Sequence, residues 1–367
     1  MKLTASIQLT PTPAQAAALR RTLETANAAC DAISRAAWEA KTFRQFDLHR
    51  LCYQDIRAAY GLSAQVTVRC ISKVSDSYKL DKRTPRTFAP LGALAYDARI
   101  LSFKAESVSI WTVEGRQTIP FVCGERQRAM LKTQKGESDL VFKKGKWYLF
   151  VTCEVESAPQ IETTDILGID LGIVNIATDS DGESYSGAGI ETRRQWYANR
   201  RAALQKVGTK SAKRRLKQLS GRQRRFQTDT NHVLSKRLVA KAERTKRGMA
   251  LEDLTHIRTR ARARGPQQRA RHSNWAFGQL RAFLSYKAER AGVRVVLIDP
   301  RNTSRMCSAC GHCEKANRRS QAVFCCVSCG HTSLADYNAA INIKWAVVNQ
   351  PLVSDSNVRV ETQAVRL

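Results

Sequence analysis

The spacing of apolar and polar residues changes period several times along the chain. Residues 2–9 (KLTASIQL) alternate as a strand does. Thr12-Pro13 then offers a helix start, with the threonine as N-cap and the proline in the first turn. Apolar and small residues recur at helical spacing to about Ala40, and further helical segments run from about 46 to 80. After the Pro-bearing stretch 81–90 the pattern becomes short β segments. LSFKAESVSIWTV (101–113) is one, and DLVFKKGKWYLFVTCEV (139–155) reads as a hairpin turning at Lys144-Gly145-Lys146. The first 160 or so residues thus predict a β-barrel-like module interrupted by a helical one.

Residues 157–164 (SAPQIETT) read as a linker. Beyond it, ILGIDLGIVNIATDSDGESYSG (166–187) predicts two antiparallel strands around a Gly-rich turn, and a long helical region follows from about 191 to 247. GMALEDL (248–254) predicts a short buried strand and RTRARARGPQQRAR (258–271) an Arg-rich loop. Residues 273–291 predict a helix with Trp275, Phe277, Leu280 and Phe283 on its apolar side, and VRVVLID (293–299) another strand. A cysteine-rich segment, a helix from about 334 to 347 and a polar tail complete the chain, with no fixed-period repeat.

The length of 367 residues is enough for two or three compact cores. No stretch approaches the apolar length of a membrane span, and MKLTASIQLTPTPAQ has no signal-peptide core, so the expected location is the cytoplasm. Charge narrows the partners further: 61 Lys and Arg against 32 Asp and Glu give +29, with a pI near 10.1. Such a charge is self-repelling in a compact fold and is tolerated best when a polyanion neutralises it. Nucleic acid is the expected partner, with binding that weakens steeply as salt rises. An anionic membrane surface is the alternative, but no amphipathic anchor helix accompanies it.

Of eleven cysteines, Cys30, Cys52, Cys70, Cys123 and Cys153 are scattered, and most read as small buried apolar residues. Cys307, Cys310, Cys313, Cys325, Cys326 and Cys329 crowd into one segment. Cys307-Ser-Ala-Cys310-Gly and Cys326-Val-Ser-Cys329-Gly form two knuckles separated by 15 residues, the spacing of a tetrahedral four-thiolate Zn²⁺ site. Such a site has no open coordination position, so its role is structural. Cys313 and Cys325 do not fit the knuckle spacing. Redox cysteines or disulfides are the competing explanation.

Three acids stand out. Asp170 lies within an apolar strand, where an uncompensated charge is costly. Glu252 ends another apolar strand, and Asp336 begins the last helix. Singly, each has a plainer explanation: a turn residue, a surface carboxylate, and a helix N-terminal charge favoured by the dipole. Their order changes the weighing. Asp on a first strand leading into a hairpin, Glu at the end of a later strand and Asp on a final helix is the ribonuclease H-like order, in which paired Mg²⁺ ions serve phosphodiester hydrolysis.

Several motifs resemble a known family. GIDLGIVNIAT (168–178) resembles the first RuvC motif and LEDL (251–254) the second. TSRMCSACG (303–311) with FCCVSCGHTSLADYNAAINI (324–343) resembles the third, with its embedded zinc ribbon. TNHVLSKRLVAKA (230–242) and WAFGQLRAFLSYKAERAGVRVVLIDPRNTS (275–304) are also similar to the TnpB family, transposon-encoded relatives of the type V CRISPR effector nucleases. The resemblance is dense from about 165 to 348. It is looser before that, in the first strand, a helix start at Pro11/Pro13 and Gln15, and the hairpin residues Lys146-Trp147-Tyr148-Leu149.

The resemblance implies an α/β multidomain protein: an N-terminal β-barrel-like wedge with a helical recognition insert, then an RNase H-like (RuvC) nuclease domain with an inserted zinc ribbon. Its expected division is 1–10 and 90–160 for the wedge, 11–89 for the recognition helices, and 165–300 with 334–348 for the nuclease domain. A basic helical insert covers about 191–247, the ribbon 301–333 and a tail 349–367. The implied activity is RNA-guided DNA cleavage, with a guide RNA from the transposon end and a duplex DNA target beside a short adjacent motif. The family's catalytic acids fall on Asp170, Glu252 and Asp336 (Mg²⁺), and its zinc ligands on Cys307, Cys310, Cys326 and Cys329. Relatives that have lost nuclease activity typically lack one or more of the acids, and this chain keeps all three. A monomer is the expected state, found with the nucleoid when bound to DNA.

The basic segments then acquire a role. Residues 193–247 hold 19 Lys and Arg against two acids, Asp229 and Glu243, and so supply +17 of the net charge. Within them Arg214, Arg215, Arg222, Arg224 and Arg225 are expected to track phosphates of a guide–target heteroduplex, reading shape and leaving sequence to base pairing. Arg258, Arg260, Arg262 and Arg264 grip nucleic acid or form a disordered loop. Lys73, Lys79 and Lys82 are basic candidates in the N-terminal half. Competing readings are a compact type V CRISPR effector, a non-cutting RNA-guided DNA-binding repressor, and a guide-independent structure-specific nuclease.

Overall fold

The computed structural model describes residues 1–163, 165–254 and 276–349, which fall into two compact units dividing at Val155/Glu156. The Arg-rich loop with Arg258, Arg260, Arg262 and Arg264, Trp275, and the tail beyond 349 lie outside the described residues.

In the first unit, β1 (Lys2–Leu9) leads into α1 (Pro13–Glu39) through a capping box: Thr12 Oγ1 accepts from Gln15 N, and Gln15 Oε1 accepts from Thr12 N. Helices α2 (Gln45–Tyr60) and α3 (Ala64–Leu80) follow. Then come strands β2 (Leu94–Tyr96), β3 (Leu101–Phe103), β4 (Ser107–Thr112) and β5 (Gly115–Val122), and a short α4 (Glu125–Leu131) that the residue pattern did not suggest. The hairpin β6 (Gln134–Lys143) and β7 (Lys146–Glu154) ends the unit. It turns at Lys144 (φ 53°) and Gly145 (φ 78°), two positive-φ residues in a two-residue loop. The segment 101–113, expected as one strand, is two, because Lys104 N bonds Ser107 O at 2.8 Å and reverses the chain.

These strands form one barrel-like, seven-stranded antiparallel sheet in the order β2-β6-β7-β1-β5-β4-β3. Ala5, Ile7 and Leu9 of β1 and Trp147, Leu149, Val151 and Cys153 of β7 alternate inward. They share a hydrophobic core with the helices, among them the α2 stripe Leu48, Cys52 and Ile56 and the buried Cys30 and Cys70. These cysteines are core filler, as their scatter suggested.

The second unit is built on a five-stranded sheet in the order β10-β9-β8-β11-β12. Strands β8 (Ile166–Asp170), β9 (Asn175–Asp179) and β10 (Ser184–Ser186) form an antiparallel meander, one strand more than expected. The basic region is two helices, α5 (Ala188–Val207) and α6 (Lys210–Arg244), broken at Gly208. β11 (Gly248–Glu252) then pairs parallel with β8, and after α7 (Phe277–Arg290), β12 (Val295–Ile298) pairs parallel with β11.

Alternation along the strands sorts the two faces. Leu167, Ile169, Met249 and Leu251 pack with Leu234 and Leu238 of α6 and Leu280 and Leu284 of α7. Ile166 and Ala250 face the other way, against Ile343 of the last helix α8 (Ala335–Asn349). Gly168 permits this contact: a Cβ there would lie 2.1 Å from Ala340 O of α8. The β9–β10 turn is tied to α6 by Lys241, which bonds Asp179 and Glu183, and Arg247 bonds Asp181 at 2.8 and 2.6 Å. A small two-stranded sheet, β13 (Val323–Cys325) and β14 (Thr332–Leu334), precedes α8.

Candidate active site and metal centre

The parallel register of β8 and β11 sets Ile169 opposite Leu251, so Asp170 and Glu252 end neighbouring strands at the same sheet end. Both share parity with Ile166 and Ala250 and therefore lie on the face that α8 covers. Asp336 sits in the first turn of α8. Acids 166 residues apart in sequence thus meet at one edge of the sheet.

Each acid has a distinct environment. Burial, then the Glu252 and Asp336 carboxylates, push Asp170 up to about 8, and the Arg318 guanidinium opposes this. Burial also raises Glu252, against a lowering by the Thr303 hydrogen bond and Arg318. Thr303 Oγ1 donates to Glu252 Oε1 at 2.5 Å, and Asn175 Nδ2 donates to Asp336 Oδ2 at 2.9 Å. Arg318 Nη2 lies 3.8 Å from Asp336 Oδ1. Among the described residues, the four cysteines alone bring all their ligand atoms within 4.8 Å of one another; the acids are not so tightly gathered.

Arg318, Thr303 and Asn175 escaped the sequence reading. Arg318 sits between the knuckles as one of many arginines, and only the fold carries it to the acids. Thr303 is visible in retrospect as a polar residue fixed just before the first knuckle.

The ribbon is assembled from two matching turns. Gly311 N bonds Cys307 O at 2.9 Å and Gly330 N bonds Cys326 O at 3.0 Å, with φ of 75° and 72° at the two glycines. Side chains rarely adopt that left-handed backbone. The Sγ atoms of Cys307 and Cys329 are 3.7 Å apart, and those of Cys310 and Cys326 3.6 Å. Zn–S bonds of about 2.3 Å give a tetrahedron with edges of about 3.8 Å; these two separations match it, and all four sulfurs lie within 4.8 Å of one another, so the residues fit a four-thiolate Zn²⁺ site. The backbone N–H of Cys329, followed by that of Ser328, lowers the Cys326 thiol to about 6, against the effect of burial. Cys313 and Cys325 stand outside this set.

Buried amides bolt the ribbon to α8. Asn338 accepts from Ser308 N at 3.0 Å and donates to Met306 O at 2.8 Å. Asn342, one turn on, donates to Thr303 O at 2.8 Å and Met306 O at 2.7 Å. Asn317 Nδ2 bonds Arg305 O and His312 O, and its Oδ1 accepts from Val327 N, joining the knuckles. The helix bearing Asp336, the first knuckle and the threonine on Glu252 are thus one hydrogen-bonded assembly.

Arg214, Arg215, Arg222, Arg224 and Arg225 are all exposed on α6, with no hydrogen bond or ion pair among the described residues. Lys73 is differently placed: its ammonium bonds Asn27 Oδ1 at 2.6 Å and Ala93 O at 2.7 Å, inside the first unit. Lys79 pairs with Asp76, and Lys82 lies over the Phe43 ring.

Two family models match this chain: one described as a probable transposase over residues 150–256, and one described as Cas12f1-like, TNB domain, over 277–343. The CRISPR-associated endodeoxyribonuclease Cas12f1 of Sulfoacidibacillus thermotolerans is 36% identical over 221 residues, covering 55% of this chain and 50% of the relative. The TnpB-like protein MJ0751 of Methanocaldococcus jannaschii is 32% identical over 128 residues, covering 35% of this chain and 45% of the relative. The chain thus spans about half the length of the curated relatives it matches. A Cas12f1 chain solved by cryo-EM in a complex with sgRNA and target DNA superposes with a TM-score of 0.63 at 16% identity, covering 90% of this chain and 83% of that one, which shows a shared fold. Both halves of the second unit are thus similar to known sequences: the first to a probable transposase, the second to the Cas12f1-like TNB domain.

Proposed function

We propose that this protein is an RNA-guided DNA endonuclease of a transposon, cutting target DNA beside a short adjacent motif through a RuvC-type site of Asp170, Glu252 and Asp336. The observation that carries this reading is the meeting of the three acids at one end of the second sheet, where Asp170 is pushed up to about 8 by burial and by the other two. A buried acid cluster of this kind needs positive charge, and carboxylate oxygens are the hard donors that Mg²⁺ takes. Two such ions supply activation of water and neutralisation of charge at the leaving oxygen of a phosphodiester.

The chain's own residues prepare that site. Thr303 orients the Glu252 carboxylate, Asn175 orients that of Asp336, and Arg318 adds a cation that faces a scissile phosphate. Cys307, Cys310, Cys326 and Cys329 would hold a structural Zn²⁺, which would keep the ribbon and its Arg318 in place against α8. Arg214, Arg215, Arg222, Arg224 and Arg225, without a side-chain partner among the described residues, contact backbone phosphates of the guide RNA and of its duplex with the target. Residues 1–10 and 90–160 act as the wedge and 11–89 as recognition helices that read the adjacent motif.

Similarity to Cas12f1 favours one second reading, a compact CRISPR effector. Its site chemistry is the same, and only the source of the guide separates the two. Purification with the native flanking DNA co-expressed, followed by sequencing of bound RNA, tests both: a transposon-end transcript is expected, and a CRISPR repeat would favour the effector. Matched duplex DNA should be cut with Mg²⁺ and mismatched DNA spared. Absence of any specific RNA overturns guided cutting.

A further inference from the structure

Helices α5 and α6 form an antiparallel hairpin tied at two points: Arg201 Nη2 bonds Gln223 Oε1 at 2.6 Å, and the Arg193 guanidinium lies over the Phe226 ring. Beside these ties the hairpin opens into a groove of about 410 Å³. Its walls follow helical spacing. Trp196, Arg200 and Leu204 are successive i, i+4 neighbours on α5, and Arg215, Leu219 and Arg222 mark one face of α6. Leu219 is buried, and Trp196 is 48% exposed.

The combination is unusual for a hairpin that only displays charge. Arg200, Arg215 and Arg222 make no hydrogen bond or ion pair among the described residues, whereas the neighbouring Arg194 and Arg201 are both engaged, with Glu191 and Gln223. An indole with a solvent-facing surface, set among three uncommitted guanidinium groups and a leucine floor, matches one chemical class: an aromatic base carrying a phosphate on either side. We infer that this groove receives an unstacked nucleotide of a single-stranded RNA segment, the base stacking on Trp196 while Arg200, Arg215 and Arg222 contact the adjoining phosphates. Single-stranded RNA is the favoured source because its bases are free to splay onto aromatic side chains, whereas paired bases stay within their helix. The choice of RNA rests on the guided reading above; the groove's chemistry does not.

The test uses the full-length protein freed of co-purified RNA, with fluorescein-labelled oligouridylate, a paired RNA duplex and oligothymidylate as probes. Base–aromatic stacking contributes about 1–3 kcal/mol per base, so Trp196→Ala should weaken oligouridylate binding about tenfold or more, while Trp196→Phe retains most of it. Duplex binding should change less than about twofold, since no base is unstacked there. Arg215→Gln and Arg222→Gln should each lower the salt slope for oligouridylate by about 0.7, whereas Trp196→Ala leaves the slope unchanged. Equal losses on duplex and single strand, or no loss on either, overturn the inference. A larger Trp196→Ala effect on oligothymidylate than on oligouridylate overturns the assignment to RNA. Guided cutting that persists with unchanged oligouridylate binding by Trp196→Ala removes the groove and leaves the proposed function standing.

Discussion

The ribbon and the carboxylate site are both candidate metal centres, and they are built in opposite ways. The cysteines lie within 23 consecutive residues, and two short hydrogen-bonded turns bring their sulfurs to tetrahedral separations. The acids span 167 residues and meet only because β8, β11 and α8 assemble. In the ribbon, backbone amides favour thiolate at Cys326; at the acids, burial and mutual repulsion disfavour charge at Asp170. One centre is made ready by local backbone, and the other is held together by its neighbours. Removing a ligand should therefore separate folding from chemistry at one site and combine them at the other.

The largest effect is expected at the acids. Glu252→Ala or Asp336→Ala should lower cutting on the order of 10³-fold, because transition-state charge loses its stabilisation. The melting temperature should hold or rise, since a member of a like-charged group is gone, and parallel cleavage and melting assays check both. At the ribbon, Cys307→Ser or Cys326→Ser should abolish bound zinc by elemental analysis and lower melting temperature and cutting together. Variants that lose zinc yet stay folded and cut normally would sever the ribbon from the active site.

Smaller effects test the joint between the two. Thr303→Val removes the hydroxyl that holds Glu252 and should reduce Mg²⁺ affinity or cutting about 10–100-fold, the range for residues that orient a metal ligand. Mg²⁺ titration of the cleavage rate reads this directly, and Thr303→Ser should restore it. The smallest effect is a control outside both centres. Arg247, then Lys241, holds the Asp181 carboxyl well below the usual carboxylate range despite some burial. A lowered folded-state value stabilises above the unfolded value near 4 and is lost as pH falls below it. Asp181→Asn should therefore lower the melting temperature at neutral pH, with a deficit that shrinks in acid.

What the residue order revealed follows the same local-versus-assembled divide. The knuckles, the Thr12 N-cap and the Lys144-Gly145 hairpin turn depend on contacts a few residues apart, and each is legible as a motif. Asp170, Glu252 and Asp336 were legible only through the order of their flanking elements. Arg318, Thr303 and the buried amides Asn338 and Asn342 carry no local signal, because their partners are chosen by how the ribbon lands on α8. The Trp196 groove was hidden for a related reason. A charge count over 193–247 treats all the arginines alike, and only the pairing of α5 with α6 shows which are engaged.

The central claim is that Asp170, Glu252 and Asp336 form the metal-dependent centre that cuts DNA. It is tested most directly by cleavage of a matched duplex across a Mg²⁺ titration, with wild-type protein and Asp170→Ala carrying the same bound RNA. The account predicts saturable, Mg²⁺-dependent cutting by the wild type and none by Asp170→Ala at any Mg²⁺ concentration, with RNA binding unchanged. Guided cutting by Asp170→Ala at the wild-type rate would contradict it.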